Sequence, residues 1–263
     1  MNVRMLSVVS GMFLLTVCSK GEKSNVQAAA PAAAAPSASS GDVSASSTAA
    51  GGTITGKIKF TGAAPRNPTI DMSEEAACKS KYATTPTEEN VMAGAANSLS
   101  NVFVYVKSGV PAGQTFTAPA TPVLLDQNGC RYHPHVFGVM VGQGLEIQNS
   151  DPVLHNIKAI AKKNRPFNVS QPGAGMKTTR TFSAPEVMVN LECNVHGWMH
   201  AYLGVRPDPF YAVSGPDGSF TIKGLPPGTY TIEAWHEKFG TQTATVTIAG
   251  AESKTANFTF AAH

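Results

Sequence analysis

The sequence predicts an all-β protein built as β-sandwiches, and three observations carry that expectation. Apolar runs of strand length recur along the chain with period-two alternation, and none sustains a helical period. Glycine (24 residues) and proline (18) stand between these runs as turn punctuation. Charged residues make up 14% of the 263 positions and aromatics 8%, the balance of a turn-rich β chain. The length allows one or two domains with a real core. A net charge of +3 with dispersed Lys and Arg argues against a nucleic-acid partner. The one basic cluster, Lys162 to Arg165, reads as a solvated loop.

The elements follow in chain order. Residues 1–18 read as a processing signal: Arg4 precedes an apolar run, Met5 to Val17, that is too short to span a bilayer, and Cys18 closes it. A cysteine there resembles the lipobox of bacterial lipoproteins, in which it is lipidated and becomes the mature first residue. Val17 departs from the small residue that motif prefers, and an ordinary cleaved signal peptide is the rival reading. Either way the chain is exported to the periplasmic or cell-envelope side, where disulfides are permitted. The lipid reading also anchors it to a membrane. Residues 19–51 form an Ala/Pro/Ser-rich linker. Its low-complexity stretch would span roughly 25 to 30 Å as a flexible coil.

Residues 52–112 carry N-terminal strands. "TITGKIKF" places Ile54, Ile58 and Phe60 on one face, and "NVFVYVK" alternates Val102, Val104 and Val106. Between them, Asp71 to Ser98 is polar and irregular, a long loop with one helical turn. Residues 113–206 supply "TPVLLD", "HVFGVMV", "LEIQN", "HNIKAIA", "KTTRTF" and "EVMVNLEC" as strands. Residues 207–263 supply "SFTIKG", "TYTIEAW", "TATVTIA" and "ANFTF", divided by "GPDG" and "LPPG" turns.

The strand "EVMVNLEC" bears on function. Alternation puts Val187, Val189, Leu191 and Cys193 on one face. That face is apolar and therefore buried, so Cys193 points inward at the strand end. A buried cysteine alone is usually a small hydrophobe. Here His196 and Met199 follow as C-x2-H-x2-M in a glycine-containing loop. Thiolate, imidazole and thioether together suit copper, and two histidines with one cysteine and a weak axial methionine make a blue-copper electron-transfer site. Zinc would not select the methionine. The loop supplies one of the two histidines needed.

The segment "YHPHVFGVMVGQGLEIQNSDPVLHN", Tyr132 to Asn156, contains Pro134, Val139, Gly142, Leu145, Asn149, Asp151 and the pair His155-Asn156. That spacing resembles the cupredoxin family, and C-x2-H-x2-M is similar to the ligand loop of amicyanin-type members. The joint pattern covers roughly residues 117–205, within a cupredoxin domain placed at 113–206. The resemblance implies a Greek-key sandwich holding one type 1 copper through His155, Cys193, His196 and Met199. It implies that the backbone amide of Asn156 donates to the thiolate and that Asn149 braces the ligand loops. It implies single-electron transfer between extracytoplasmic redox proteins and no catalysis, since four protein ligands leave no open position. A copper storage or delivery protein is the alternative. If Cys18 carries lipid and Cys193 binds metal, Cys78 and Cys130 remain as a disulfide pair.

The other histidines are read as structural or surface residues. His133 and His135 form a single H-x-H pair, whereas multicopper centres need several. His200 opens a strand. His236 lies in "WHEKFG", where Gly240 stands in place of the second histidine of a zinc-protease motif. His263 is terminal.

The tail segment "DGSFTIKGLPPGTY" resembles the carboxypeptidase regulatory-like, or transthyretin-like, β-sandwich. Its glycines and prolines fix turns and its aromatics fill a core. "GTITGKIKFTGAAP" and "NVFVYVK" look like first strands of that same sandwich. Residues 113–206 thus read as an insertion into one discontinuous domain, with two consecutive domains as the alternative.

Overall fold

The computed structural model describes residues 51–262. In chain order the strands begin with β1 (Gly52–Thr61) and β2 (Phe103–Ser108). Next come β3 (Val123–Gln127), β4 (Tyr132–His133), β5 (Val136–Met140), β6 (Leu145–Asn149), β7 (His155–Ile160), β8 (Phe167–Gln171), β9 (Lys177–Arg180), β10 (Glu186–Glu192) and β11 (His200–Arg206). The last six are β12 (Tyr211–Val213), β13 (Ser219–Leu225), β14 (Gly228–His236), β15 (Gly240–Ile248), β16 (Ser253–Thr255) and β17 (Phe258–Ala261). The long polar loop between β1 and β2 holds a one-turn helix, α1 (Ala76–Lys79), and a short 3-10 turn at Ala95–Asn97.

The strands form two sandwiches. In the first, the sheet β13-β1-β16, with β17 also paired to β1, shares a core with the sheet β12-β2-β14-β15. Ile54, Ile58 and Phe60 of β1 are buried there as their alternation requires, with Val104 and Val106 of β2, Ile232 of β14 and Phe260 of β17. The first two strands thus pair with strands from the far end of the chain. In the second sandwich, β5-β11-β10-β7-β8 packs on β4-β3-β6-β9 around Leu125, Ile147, Ile157, Val189, Leu191 and Leu203.

The chain leaves the first sandwich after β2 and re-enters it at β12, and these two strands are hydrogen-bonded neighbours: Tyr211 lies opposite Tyr105 and Val213 opposite Phe103. Entry and exit therefore share one neck. Arg206, at the end of β11, donates to the Val106 carbonyl at 2.6 Å and to Asp208 at 2.9 Å, and its guanidinium lies 4.5 Å above the Tyr105 ring.

A third apolar cluster fills the junction. Phe103, Tyr105 and Val136 are its buried members, with Tyr202, Tyr211 and Trp235 packed on them. Strand β2 thus buries both faces. Its valines enter one core and its aromatics the other, which a two-state apolar/polar alternation does not distinguish. Each such aromatic contributes about 1.5 to 3 kcal/mol on burial. The rings fit because β5 and β11 present Gly138 and Gly204 side by side. A Cβ on Gly204 would fall 2.3 Å from the Phe103 ring, and one on Gly138 2.4 Å from the Tyr211 ring.

Two local departures from the sequence reading have physical causes. A register shift between Glu186 and Val189 breaks the alternation of β10, so Glu186 is buried and Val187 turns to the junction cluster. The Glu186 carboxylate accepts from the amides of Lys162, Lys163 and Asn164, which makes it an anchor for the basic loop. Strand β8 has an exposed alternate face and little apolar content, so it carries no clear strand signal.

The neck leads to a first expected outcome. Gly204→Ala forces the Phe103 ring out of its seat and costs about 1 to 3 kcal/mol, as overpacking does. It should lower the urea midpoint with little change in the slope of unfolding.

Candidate metal centre

Three elements bring the donors together. His155 opens β7, Cys193 follows the last residue of β10, and His196 lies in the tight loop from β10 to β11. That loop is closed by its own backbone: the Cys193 amide donates to the Met199 carbonyl at 3.1 Å, and the Met199 amide to the His196 carbonyl at 2.9 Å. The hydrogen bonds leave few conformations for the residues between.

His155, Cys193 and His196 present ligand atoms within 4.8 Å of one another, and all three are buried. The two imidazoles face each other through Nδ1, 3.0 Å apart. The Cys193 Sγ lies 4.0 Å from the His196 Nδ1. Two bonds to one ion, about 2.3 Å from sulfur and about 2.1 Å from nitrogen, span at most about 4.4 Å, so both separations suit a shared metal. Met199 is 1% exposed and belongs to the same buried cluster as Cys193.

A carboxylate absent from the sequence assignments orients the first histidine. Asp151 lies one helical-turn spacing before His155, yet the segment between is a bent loop and not a helix. Its Oδ2 accepts from His155 Nε2 at 3.0 Å. With Nε2 protonated, Nδ1 keeps its lone pair and turns it toward the centre. Asp151 also accepts from the amides of Gly129 at 2.9 Å and Cys130 at 2.7 Å, and pairs with Lys81 at 3.3 Å. Burial pushes its pKa up, but the bonds from His155, Cys130, Gly129 and Lys81 outweigh this and hold it well below the usual carboxylate range. The cue in the sequence was the Asp151–His155 spacing inside the quoted motif.

The surroundings of the sulfur favour its thiolate form. Burial raises the Cys193 pKa, but hydrogen bonds from His155 and His196 and the backbone amides of Asn156 and His196 overcome it and bring it down to about 5. The His196 amide lies 3.4 Å from Sγ. Burial lowers the His155 pKa, and Asp151 and Cys193 raise it by more.

The two asparagines take distinct parts. Asn156, through its side-chain Oδ1, accepts from the Asn194 amide at 2.7 Å and meets Cys193 Sγ at 3.3 Å, which joins the two ligand segments directly. Asn149 braces the approach to His155 instead. Its Nδ2 donates to the carbonyls of Val153 and Gln171, and its Oδ1 accepts from the Asp151 amide, each at 2.9 Å.

Part of the cover of the site comes from the long loop between β1 and β2. Cys78 in α1 is disulfide-bonded to Cys130. Its sulfur lies 3.9 Å from His196 Nε2, and Glu75 Oε2 lies 4.0 Å from the same nitrogen. Trp198 packs on His196 at 5.1 Å between ring centroids and donates to the Cys130 carbonyl at 2.9 Å. His196 is consequently only 3% exposed. Cys18, the expected lipidation residue, lies outside the described residues.

Among the remaining histidines, His133 is exposed and bonds the Asn128 carbonyl. His236 is buried against Phe239. His135 and His200, set aside on sequence grounds, converge on Glu237. His200 is not a surface residue, since its side chain is 20% exposed.

Comparison with known proteins places these features. Residues 205–261 match the family model of the carboxypeptidase regulatory-like domain. No curated protein matches the chain. Similar solved structures include the Cu-containing nitrite reductase of Thermus scotoductus, at 23% identity and TM-score 0.32, covering 38% of this chain and 26% of that one. The chain therefore spans about a quarter of that enzyme. An amicyanin variant in its Cu(I) form is 16% identical, with TM-score 0.30, covering 39% of this chain and 98% of that one. A purple cupredoxin from Nitrosopumilus maritimus is 20% identical, with TM-score 0.27, covering 31% and 97%. The matched residues 205–261 fall largely on β12 to β17 of the first sandwich.

Two outcomes follow for metal binding. Asp151→Asn takes the charge from the acceptor that fixes the His155 tautomer and should weaken binding by about 10- to 100-fold in a chelator competition titration. The pH dependence has a definite sign. Cys193 has its folded pKa depressed to about 5 from an ordinary 9.0, so the thiolate persists above that value and is lost as pH falls through it. Affinity should start to fall as pH drops through the His155 pKa, which is raised above its ordinary 6.5, and fall further below about 5 as the thiolate is lost, because every ligand must be deprotonated.

Proposed function

We propose that this chain is an exported mononuclear copper protein that carries single electrons between redox proteins outside the cytoplasm. The observation that carries the reading is the buried convergence of His155 Nδ1, His196 Nδ1 and Cys193 Sγ, with Met199 in the same loop. One sulfur and two imidazoles with a methionine nearby select copper over zinc. Copper held by His155, Cys193, His196 and Met199 supplies a one-electron couple whose potential depends on the axial ligand and the surroundings of the sulfur. Asp151 orients His155, Asn156 ties the cysteine segment to the histidine segment, and α1 with Trp198 keeps water from His196. A donor set of four protein residues leaves no coordination position for a substrate, so the reading is a carrier and not an enzyme. The Cys78–Cys130 disulfide supports an oxidising compartment. Lipidation at Cys18 is the membrane attachment we assign.

One observation favours a second reading, copper storage or delivery. His196 is covered by Cys78, Glu75 and Trp198, so a partner cannot touch its imidazole edge without meeting that cover first. The two readings separate at Met199. In a carrier the thioether is a weak axial ligand, and the trigonal set holds copper without it.

Oxidised, copper-loaded protein should show an intense visible thiolate-to-copper band and a narrow-hyperfine spin-resonance signal, both absent from Cys193→Ala. Met199→Leu should keep the band, keep Cu(I) affinity and raise the midpoint potential. A collapse of Cu(I) affinity in that variant would promote the storage reading.

A further inference from the structure

A second cluster of ligating side chains sits at the junction of the two sandwiches. His135 comes from the link between β4 and β5, His200 opens β11, and Glu237 comes from the turn between β14 and β15. Their ligand atoms lie within 4.8 Å of one another. The side chains of His135 and Glu237 are 5% and 3% exposed. His135 Nε2 meets Glu237 Oε1 at 2.5 Å, and His200 Nε2 lies 3.8 Å from Glu237 Oε2.

Two independent features indicate what is missing from this arrangement as a set of hydrogen bonds. The His200 Nδ1 donates to the Trp198 carbonyl at 3.1 Å. That bond fixes the tautomer in which Nε2 carries a lone pair, and the lone pair looks toward a carboxylate oxygen. Glu237 Oε2 is itself buried without a hydrogen-bond partner. Two acceptors facing each other in a buried pocket repel unless a donor or a cation lies between them; the Tyr202 hydroxyl bears on Glu237, and a cation between the imidazoles and the carboxylate would satisfy both acceptors at once. Tyr202, packed on both imidazole rings at 5.7 and 5.9 Å, closes one side.

We propose that His135, His200 and Glu237 form a second metal site, for a zinc ion. Two imidazole nitrogens and one carboxylate oxygen, with no sulfur, are a donor set zinc accepts, with a water in the fourth tetrahedral position. A crevice of about 10 Å³ lined by His135, His200, Glu88 and Trp198 adjoins the cluster, about the volume one water occupies. Tetrahedral ligands at about 2.0 to 2.2 Å from zinc stand roughly 3.4 Å apart. Zinc entry therefore displaces the proton shared by His135 and Glu237 and parts that pair by about an ångström, with net proton release. The ion clips β5 and β11 of one sandwich to the β14–β15 turn of the other. This inference is independent of the copper reading, because it shares no ligand with it.

The test is zinc stoichiometry on the full chain, by elemental analysis after gel filtration. Wild-type protein should take up two zinc ions, since the apo thiolate site also accepts zinc. Cys193→Ala should retain one, and adding Glu237→Gln or His135→Ala should remove it. In the Cys193→Ala background zinc should also raise the thermal midpoint, and His200→Ala should abolish that rise. Since His200 is partly exposed, this variant tests the site even where a change at Glu237 or His135 prevents folding. A Cys193→Ala protein that binds no zinc, or one whose zinc survives loss of Glu237, His135 and His200, would overturn the proposal. The cluster would then be a His–Glu ion pair only.

Discussion

The candidate centre depends on one buried carboxylate. Asp151 gathers the amides of Gly129 and Cys130, the ammonium of Lys81 and the His155 imidazole around two oxygens. Three separate segments are thereby held together at a point beside the ligands. A carboxylate in so dry a place is tolerable only when fully hydrogen-bonded, and those bonds are what place the surrounding chain. The disulfide of Cys130 with Cys78 extends the same knot to α1, which covers His196. Ligand orientation, thiolate stabilisation and water exclusion thus share one set of bonds.

The second constraint is the neck. A sandwich inserted between β2 and β12 could swing on its two connections were those strands not paired to each other and packed on β5 and β11. Paired glycines at 138 and 204 allow Phe103 and Tyr211 to reach the backbone of the neighbouring sheet. Arg206 adds hydrogen bonds across the connection at its C-terminal end. The His135, His200 and Glu237 cluster lies on this same junction, so an ion there would act on the relation between the two sandwiches. His200 directly follows Met199, which places that junction next to the proposed copper ligands.

The buried asparagines show how close sequence reasoning came and where it stopped. Loop bracing was assigned to Asn149 and a backbone contact with sulfur to Asn156. In the folded chain the Asn156 amide does bear on the sulfur and Asn149 braces the loop that presents His155, and the Asn156 side chain additionally joins the two ligand segments. Residue type and spacing identify a polar group that must be satisfied when buried. They do not say which of several nearby backbone groups will satisfy it.

Local patterns determined the all-β class, most strand positions and the C-x2-H-x2-M loop. Alternation and turn residues act over a few positions and need no distant partner to be read. Tertiary structure alone decided the roles of Glu237 and the α1 cover, because each acts on residues 37 or 118 positions away, or more, through contacts that no local period encodes. It also decided that both faces of β2 are buried, since an aromatic among valines reads the same whether its outer face meets water or a second sandwich. Burial of that kind belongs to the packing of sheets against each other, and only the folded chain brings those surfaces into contact.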